Sequence, residues 1–250
     1  MSIISLILAS LLLIPPILIS YKEKLGLEKD IIISISRAII QLLVIGYILE
    51  YIFDVQNSIL TIIMVIIIVM NASLNTIKKG ENIKKPFIIS LISIGIATIV
   101  TMTVLVMSGS IDFVPNEVIT VSGMVVSNSM VAINLCYKNM NSGFKDKIKI
   151  VEAKLSLGSS IKVASQEIIK QSVKMAMMPS IDSAKTLGIV SLPGTMTGLI
   201  LAGQSPLLAI KFQIMVTFMI IASTSISTII AGYLGYKSFF NDRCQLINIQ

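Results

Sequence analysis

Histidine and tryptophan are absent from this 250-residue chain, and cysteine occurs only as Cys136 and Cys244. Without an imidazole there is no histidine metal ligand and no histidine proton relay. Two widely separated thiols supply neither a metal cluster nor a disulfide framework. A metal handled by this chain therefore meets carboxylate, carbonyl, hydroxyl, amide or methionine donors, and the sequence singles out no metal-ligand set among them. Charge is scarce too: Asp, Glu, Lys and Arg make up 13% of the residues, about half the share of a soluble domain. The G-x-x-x-x-G-K-S/T phosphate loop is also missing. The chain is thus not expected to be an enzyme by itself.

What fills the space is apolar sequence, 54% of the residues, gathered into runs of roughly 17 to 25. At 1.5 Å per helical residue such runs match the ~30 Å hydrocarbon core of a bilayer. They predict an all-α integral membrane protein with about seven transmembrane helices, a single polytopic transmembrane domain over residues 1–250. The expected spans are Ser2–Ser20, Ile31–Leu49, Ser58–Leu74, Phe87–Met107, Val118–Tyr137, Leu187–Gly203 and Leu207–Tyr233. The first is read as retained, because no positive segment or small-residue cleavage site accompanies it. Pro15-Pro16 is expected to kink it. The sixth is short and interrupted by Pro193-Gly194, so six spans plus a re-entrant segment is the alternative count.

Lysine placement orients the chain. Lys22, Lys24 and Lys29 follow the first span, four lysines follow the third, and nine lie between Lys138 and Lys185. The loops after the second, fourth and sixth spans contain no Lys or Arg. By the positive-inside rule this alternation predicts N-out, C-in in a cell membrane. It also accounts for the net charge of +7 without invoking nucleic acid, since no aromatics interleave the lysines.

Between the fifth and sixth spans, residues 138–186 read as a cytoplasmic segment of amphipathic helices. Ile150, Ala153, Leu157, Ile161, Ala164, Ile168, Ser172 and Met175 recur every three or four residues, a helical stripe. The stripe suits either a membrane-surface helix or a docking element for a cytoplasmic partner. Gly158 inside it favours docking, because a glycine there points to a turn or a close backbone approach. Glu152-Ala153 with Gly158 resembles the coupling loop of ABC importer permeases, which makes Glu152, Ala153, Leu157 and Gly158 candidates for ATPase coupling.

Polar groups inside the spans are the other candidates. Arg37 and Gln41 are four residues apart and share a helix face, where Arg37 either snorkels to the interface or faces the bundle interior. Asn71 ends the third span. Gly123, Ser127 and Asn128 combine small-residue spacing with an amide, suiting helix packing or a pathway lining. Ser191, Pro193, Gly194, Thr195, Thr197 and Gly198 place a helix breaker and a glycine pair at mid-membrane. Freed backbone there is tolerated only when buried in protein or lining a cavity, and such breaks build substrate sites in transporters; a kink with tight packing is the other reading. No carboxylate lies within an expected span; Asp54, Asp112 and Glu117 fall in loops.

The string from Gly188 to Pro206 (GIVSLPGTMTGLILAGQSP) resembles that of the FetB-type permeases, bacterial ABC membrane subunits assigned to iron export and related to plant permeases of aluminium tolerance. The likeness extends to Arg37–Gly46, Asn71–Ser73, Gly123–Ala132, Glu152–Gly158, Met178–Ile181 and Gln213, with Ser127 standing where glycine is expected. It implies a permease that exports metal ion, iron first, pairing with a separate ABC ATPase subunit and with a second permease. ATP and Mg²⁺ would bind that ATPase, with no cofactor in this chain. An ATP-independent channel or secondary carrier, and a non-transporting membrane scaffold, are the competing functions.

Overall fold

The computed structural model describes residues 8–247, so residues 2–7 of the first expected span lie outside the described residues. The chain divides into two units, one ending at Gln56 and one beginning at Asn57, and no strand occurs among the described residues.

The first unit is a pair of helices. A 3-10 turn at Leu11–Leu13 leads into α1 (Ile14–Lys22), where Pro15 and Pro16 occupy the opening positions. Proline is tolerated there because the first helical N–H groups have no intrahelical acceptor. The turn to α2 (Glu28–Val55) is tied by Ser20, whose Oγ donates to Glu28 Oε1 at 2.8 Å and accepts from Leu27 N–H at 3.1 Å. Residues 50–55, expected as part of an acidic loop, continue α2 instead. Only Gln56, in the left-handed region (φ 49°), and Asn57 turn the chain.

In the second unit α3 (Ser58–Thr76) starts at Asn57, whose Oδ1 accepts from Ile59 N–H at 2.8 Å. α4 (Pro86–Met107), α5 (Pro115–Asp146), α6 (Ile148–Ser156), α7 (Ile161–Thr186), α8 (Gly194–Leu201) and α9 (Pro206–Gly235) follow. α2, α3, α4, α5 and α9 are each long and apolar enough to cross a bilayer, and Leu8–Lys22 forms a shorter apolar helix.

Packing orders the second unit. Val121 and Val125 of α5 share a buried cluster with Val216 and Met219 of α9. Farther along, Cys136 Sγ lies 3.9 Å from the Thr228 carbonyl it donates to, and Gly235 sits against Met140 and Tyr137. α5 and α9 therefore run parallel. A chain entering two parallel spans from the same end must cross back between them. α7 and α8 make that crossing: Ile168 packs on Gly143 near the end of α5, whereas Leu187 reaches the level of Met124. α8 then continues to the start of α9, with Thr195 hydrogen-bonded to Gln213.

The return from the end of α5 to the start of α9 is thus made in two pieces, and it begins upstream of the expected sixth span. The eight residues of α8 span about 12 Å, too little to cross alone. The residues before the break belong to α7, so the segment read as cytoplasmic over 138–186 comprises the end of α5, all of α6 and an α7 whose second half lies beside α5 and α9. The amphipathic stripe also splits. Ala164, Ile168 and Ser172 are buried on α7, but in α6 the inward residue is Val151, and Ile150 and Leu157 are exposed.

One end of the unit gathers the lysine-rich connections. Thr76 Oγ1 donates to Ser90 Oγ at 2.7 Å, and Ser90 Oγ and Tyr137 Oη are 2.9 Å apart, joining α3, α4 and α5 there. Phe144 stacks on Phe239 with ring centroids 4.2 Å apart and seals the same end.

Candidate functional site

The break between α7 and α8 is built from prolines, a glycine and one busy carbonyl. Pro179, inside α7, has no N–H to give the carbonyl of Met175. α7 stops at Thr186, whose carbonyl accepts from the N–H groups of Ile189, Val190 and Ser191 at 3.4, 3.0 and 3.4 Å. Gly188 has φ 79°, a conformation that costs a side-chain-bearing residue about 1–2 kcal/mol. Pro193 then sits extended (φ −62°, ψ 149°) as the residue before α8, opening that helix at Gly194.

A cavity of about 460 Å³ lies at this break, walled by α5, α7, α8 and α9. α5 contributes Met124, Asn128, Val131, Ala132 and Leu135; α7 contributes Ala176, Pro179, Ser180, Ser183 and Ala184; the break contributes Leu187 and Pro193. Gly194 and Thr195 of α8 complete it with Gln213, Val216, Thr217, Ile220 and Ile221 of α9. None of these residues is ionisable. The polar groups are hydroxyls and amides, and some are already committed. Thr195 Oγ1 donates to Gln213 Oε1, Thr217 Oγ1 donates to the Gln213 carbonyl at 2.8 Å, and Asn128 Nδ2 donates to the Met124 carbonyl at 2.8 Å. Among the described residues, no hydrogen bond engages the Ser180 or Ser183 hydroxyl. At 1.5 Å per residue, Asn128 is about 20 Å from Pro115 and about 15 Å from Lys138, which puts the cavity near mid-membrane.

Four of the expected pathway residues, Asn128, Pro193, Gly194 and Thr195, meet here. Ser191 is exposed in the turn, and Thr197 Oγ1 lies 3.1 Å from the Gly194 carbonyl it donates to. Gly198, like Gly194 and Gly123, has open space where a Cβ would stand, so these glycines make no close helix contact within the chain. Asn71 is exposed on α3, its carbonyl accepting from Asn75 Nδ2 at 2.9 Å. Arg37 and Gln41 are exposed on α2 of the first unit. Ser180, Ser183, Gln213 and Thr217 were not among the expected site residues. Their signal was helical spacing around Pro179 and, for Gln213, the one amide in a span whose other polar residues are Lys211 and hydroxyls.

At the lysine-rich end, α6 carries Glu152 and Ala153 exposed. Gly158, at φ 83°, closes α6 by donating to the Leu155 carbonyl at 2.9 Å, and leaves Leu157 88% exposed. α7 restarts at Ser160, whose Oγ accepts from Val163 N–H at 3.4 Å. The α5–α6 junction and α7 are clamped by Lys147 Nζ and Glu167 Oε1, 2.6 Å apart. That ammonium holds the Glu167 carboxyl below its usual range.

The chain is similar to known membrane proteins over most of its length. The chain is 50% identical over 246 residues to the "Probable iron export permease protein FetB" of Escherichia coli (strain K12), covering 98% of this chain and 95% of that protein. It is 37% identical over 246 residues to the "UPF0014 membrane protein YjkA" of Bacillus subtilis (strain 168), covering 98% of each. It is 34% identical over 230 residues to "Protein ALUMINUM SENSITIVE 3" of Arabidopsis thaliana, covering 92% of this chain and 84% of that one. No solved structure matches the chain. The family model described as "Uncharacterised protein family (UPF0014)" matches residues 3–240, and the chain is a multi-pass membrane protein that belongs to that family.

Proposed function

We propose that this chain is the membrane-spanning permease of an ABC transporter that exports metal ion, iron first, with ATP hydrolysed on a separate subunit. The observation that carries the reading is the discontinuous crossing with its mid-membrane cavity of hydroxyls and amides. A broken helix that frees backbone and polar side chains at that depth suits a substrate passage rather than a scaffold. The E. coli relative is named a probable iron export permease, and oxygen donors suit hard metal ions.

In this reading the lysine-rich end faces the cytoplasm, and two permeases assemble with two ATPases. Glu152, Ala153, Leu157 and Gly158 form the surface that the ATPase engages, because α6 presents an uncovered leucine at a glycine-closed helix end.

The test is co-purification with an encoded ABC ATPase, followed by reconstitution in liposomes. ATPase turnover that rises with the permease, and ATP-dependent movement of Fe²⁺, are expected. A chain that binds no ATPase overturns the proposal. Fe²⁺ movement by the chain alone, without ATP, selects the secondary-carrier alternative favoured by the same broken helix.

A further inference from the structure

The first turn of α8 is a helix start without a cap. Pro193, the residue before it, offers no side-chain oxygen, and Thr197 is the first residue whose N–H reaches the Pro193 carbonyl. Among the described residues, the N–H groups of Gly194, Thr195 and Met196 meet no acceptor. Gly194 and Thr195 line the cavity, so the positive end of the α8 dipole opens there.

A second donor stands beside this turn and comes from another helix. Gln213 of α9 is 8% exposed and lines the same cavity. Its Oε1 accepts from Thr195 Oγ1, which fixes how the amide is turned. The oxygen is spent on α8, and among the described residues no acceptor engages the two N–H bonds of Nε2. A buried donor left unpaired is costly unless something in the cavity accepts from it. The Ser180 and Ser183 hydroxyls of α7 add donors to the same cavity.

The cavity has no charge to set against a cation. No carboxylate lines it, and Asp182, the acid nearest the break in sequence, is tied to Lys185 at 2.9 Å. Residues 31–49 of α2 contain no acid either, and their one charged residue is Arg37. A metal entering as its aquo ion would therefore give up bulk water for no opposite charge. An anionic oxygen would meet free backbone N–H groups, a helix dipole and a fixed amide, the donor set that binds anions at the starts of broken helices. The volume, about 460 Å³, lies within the roughly 300–1,000 Å³ of small-molecule sites and far exceeds a single ion.

We propose that the break between α7 and α8 is an oxyanion receptor, and that the exported metal passes it bound to a ligand bearing carboxylate or phosphate oxygens. The proposal rests on the permease reading and names the form in which the substrate travels. The ligand supplies the negative charge that the cavity lacks, and its outer oxygens accept from the first turn of α8 and from Gln213 Nε2. Thr195 is a positioning residue, because it acts by holding the Gln213 amide.

The experiment titrates the full-length chain in nanodiscs, by calorimetry, with Fe²⁺, with citrate and with Fe²⁺–citrate. Both citrate titrants are expected to bind at least tenfold more tightly than Fe²⁺ alone. Ser183→Asp places a carboxylate in the cavity wall without touching the Thr195–Gln213 pair; it should weaken citrate at least tenfold and strengthen Fe²⁺. Gln213→Glu keeps the size, exchanges the donor for an acceptor and should weaken citrate as much, whereas Thr195→Ser keeps the hydroxyl and the wild-type affinity. Fe²⁺ alone binding as tightly as its citrate complex overturns the receptor, and so does a citrate affinity within twofold of wild type in Ser183→Asp.

Flux is then read in liposomes with the ATPase. Iron supplied with citrate or with pyrophosphate should move at least tenfold faster than Fe²⁺ alone, and the faster ligand assigns the anion to carboxylate or phosphate. Equal flux with and without a ligand overturns the oxyanion route and leaves the permease reading standing. Citrate carried as fast without iron as with it overturns the metal's part in the complex. Citrate that binds while no form of iron moves overturns the permease reading instead.

Discussion

The seam where α7 crosses between α5 and α9 is sensitive at Gly232. A Cβ added there would stand 3.0 Å from Val173 Cγ2, 3.6 Å from Ile169 Cγ2 and 3.7 Å from Cys136 Sγ. Two of these atoms belong to α7 and the third to α5, so the position is a three-helix contact. Gly232→Ala asks one valine methyl to yield by a few tenths of an ångström, and the helix gains about 1 kcal/mol of propensity; the two effects nearly cancel. Gly232→Leu adds three further carbons with nowhere to go. Overpacking of that kind costs about 1–3 kcal/mol, which for a chain of this size is a fall in Tm of roughly 4–8 °C at the middle of the range.

The reporter is already in place. Cys136 is 0% exposed and touches the very space that leucine would invade, so its thiol reacts with a maleimide dye only when the seam opens. In a Cys244→Ser background the dye therefore reads this seam alone. Gly232→Leu should label faster at low temperature and melt earlier, while Gly232→Ala should track the parent. A leucine variant that melts within 1 °C of the parent, with Cys136 still inert, would refute the placement of α7 between α5 and α9.

The same assay bears on Tyr137→Phe, which removes one end of the Thr76–Ser90–Tyr137 hydrogen-bond chain and should cost about 1 kcal/mol, near the upper part of the range for polar pairs inside membranes. Gly158→Ala forces a Cβ into φ 83° at about 1–2 kcal/mol, and with Glu152→Lys it should abolish permease-stimulated ATPase activity while insertion stays normal; stimulation surviving both changes would sink the docking assignment. Glu167 ionises more readily in the folded chain because Lys147 donates to it, so its contribution is present above the ordinary glutamate pKa of about 4.3 and fades as pH falls through the lower folded value. Glu167→Gln should therefore leave Tm unchanged in its pH slope between pH 6 and 8 and flatten it only in acid.

The sequence makes the long crossings legible and hides the functional one, for a physical reason. α3, α4, α5 and α9 are each long and apolar enough to cross a bilayer, and a helix that faces lipid must carry an apolar run that a hydropathy window detects. The second half of α7 has protein on one side and charges on the other. Lys174, Asp182 and Lys185 therefore sit in it without forbidding a crossing, and the same residues make it look soluble. The lysine alternation contained the remedy. It demands a return between the lysines around the end of α5 and the start of α7 and the turn at Gln204, yet the expected span over residues 187–203 loses part of its length to the break at residues 187–193. The missing rise has to come from upstream, which is α7. Glycines show the same dependence on what stands opposite. Gly123, Gly194 and Gly198 have helix-packing spacing but face open space, whereas Gly143 and Gly232 take the close contacts with Ile168 and Val173. Spacing says which residues share a face; only the neighbour decides whether that face is a seam, a cavity wall or an open surface.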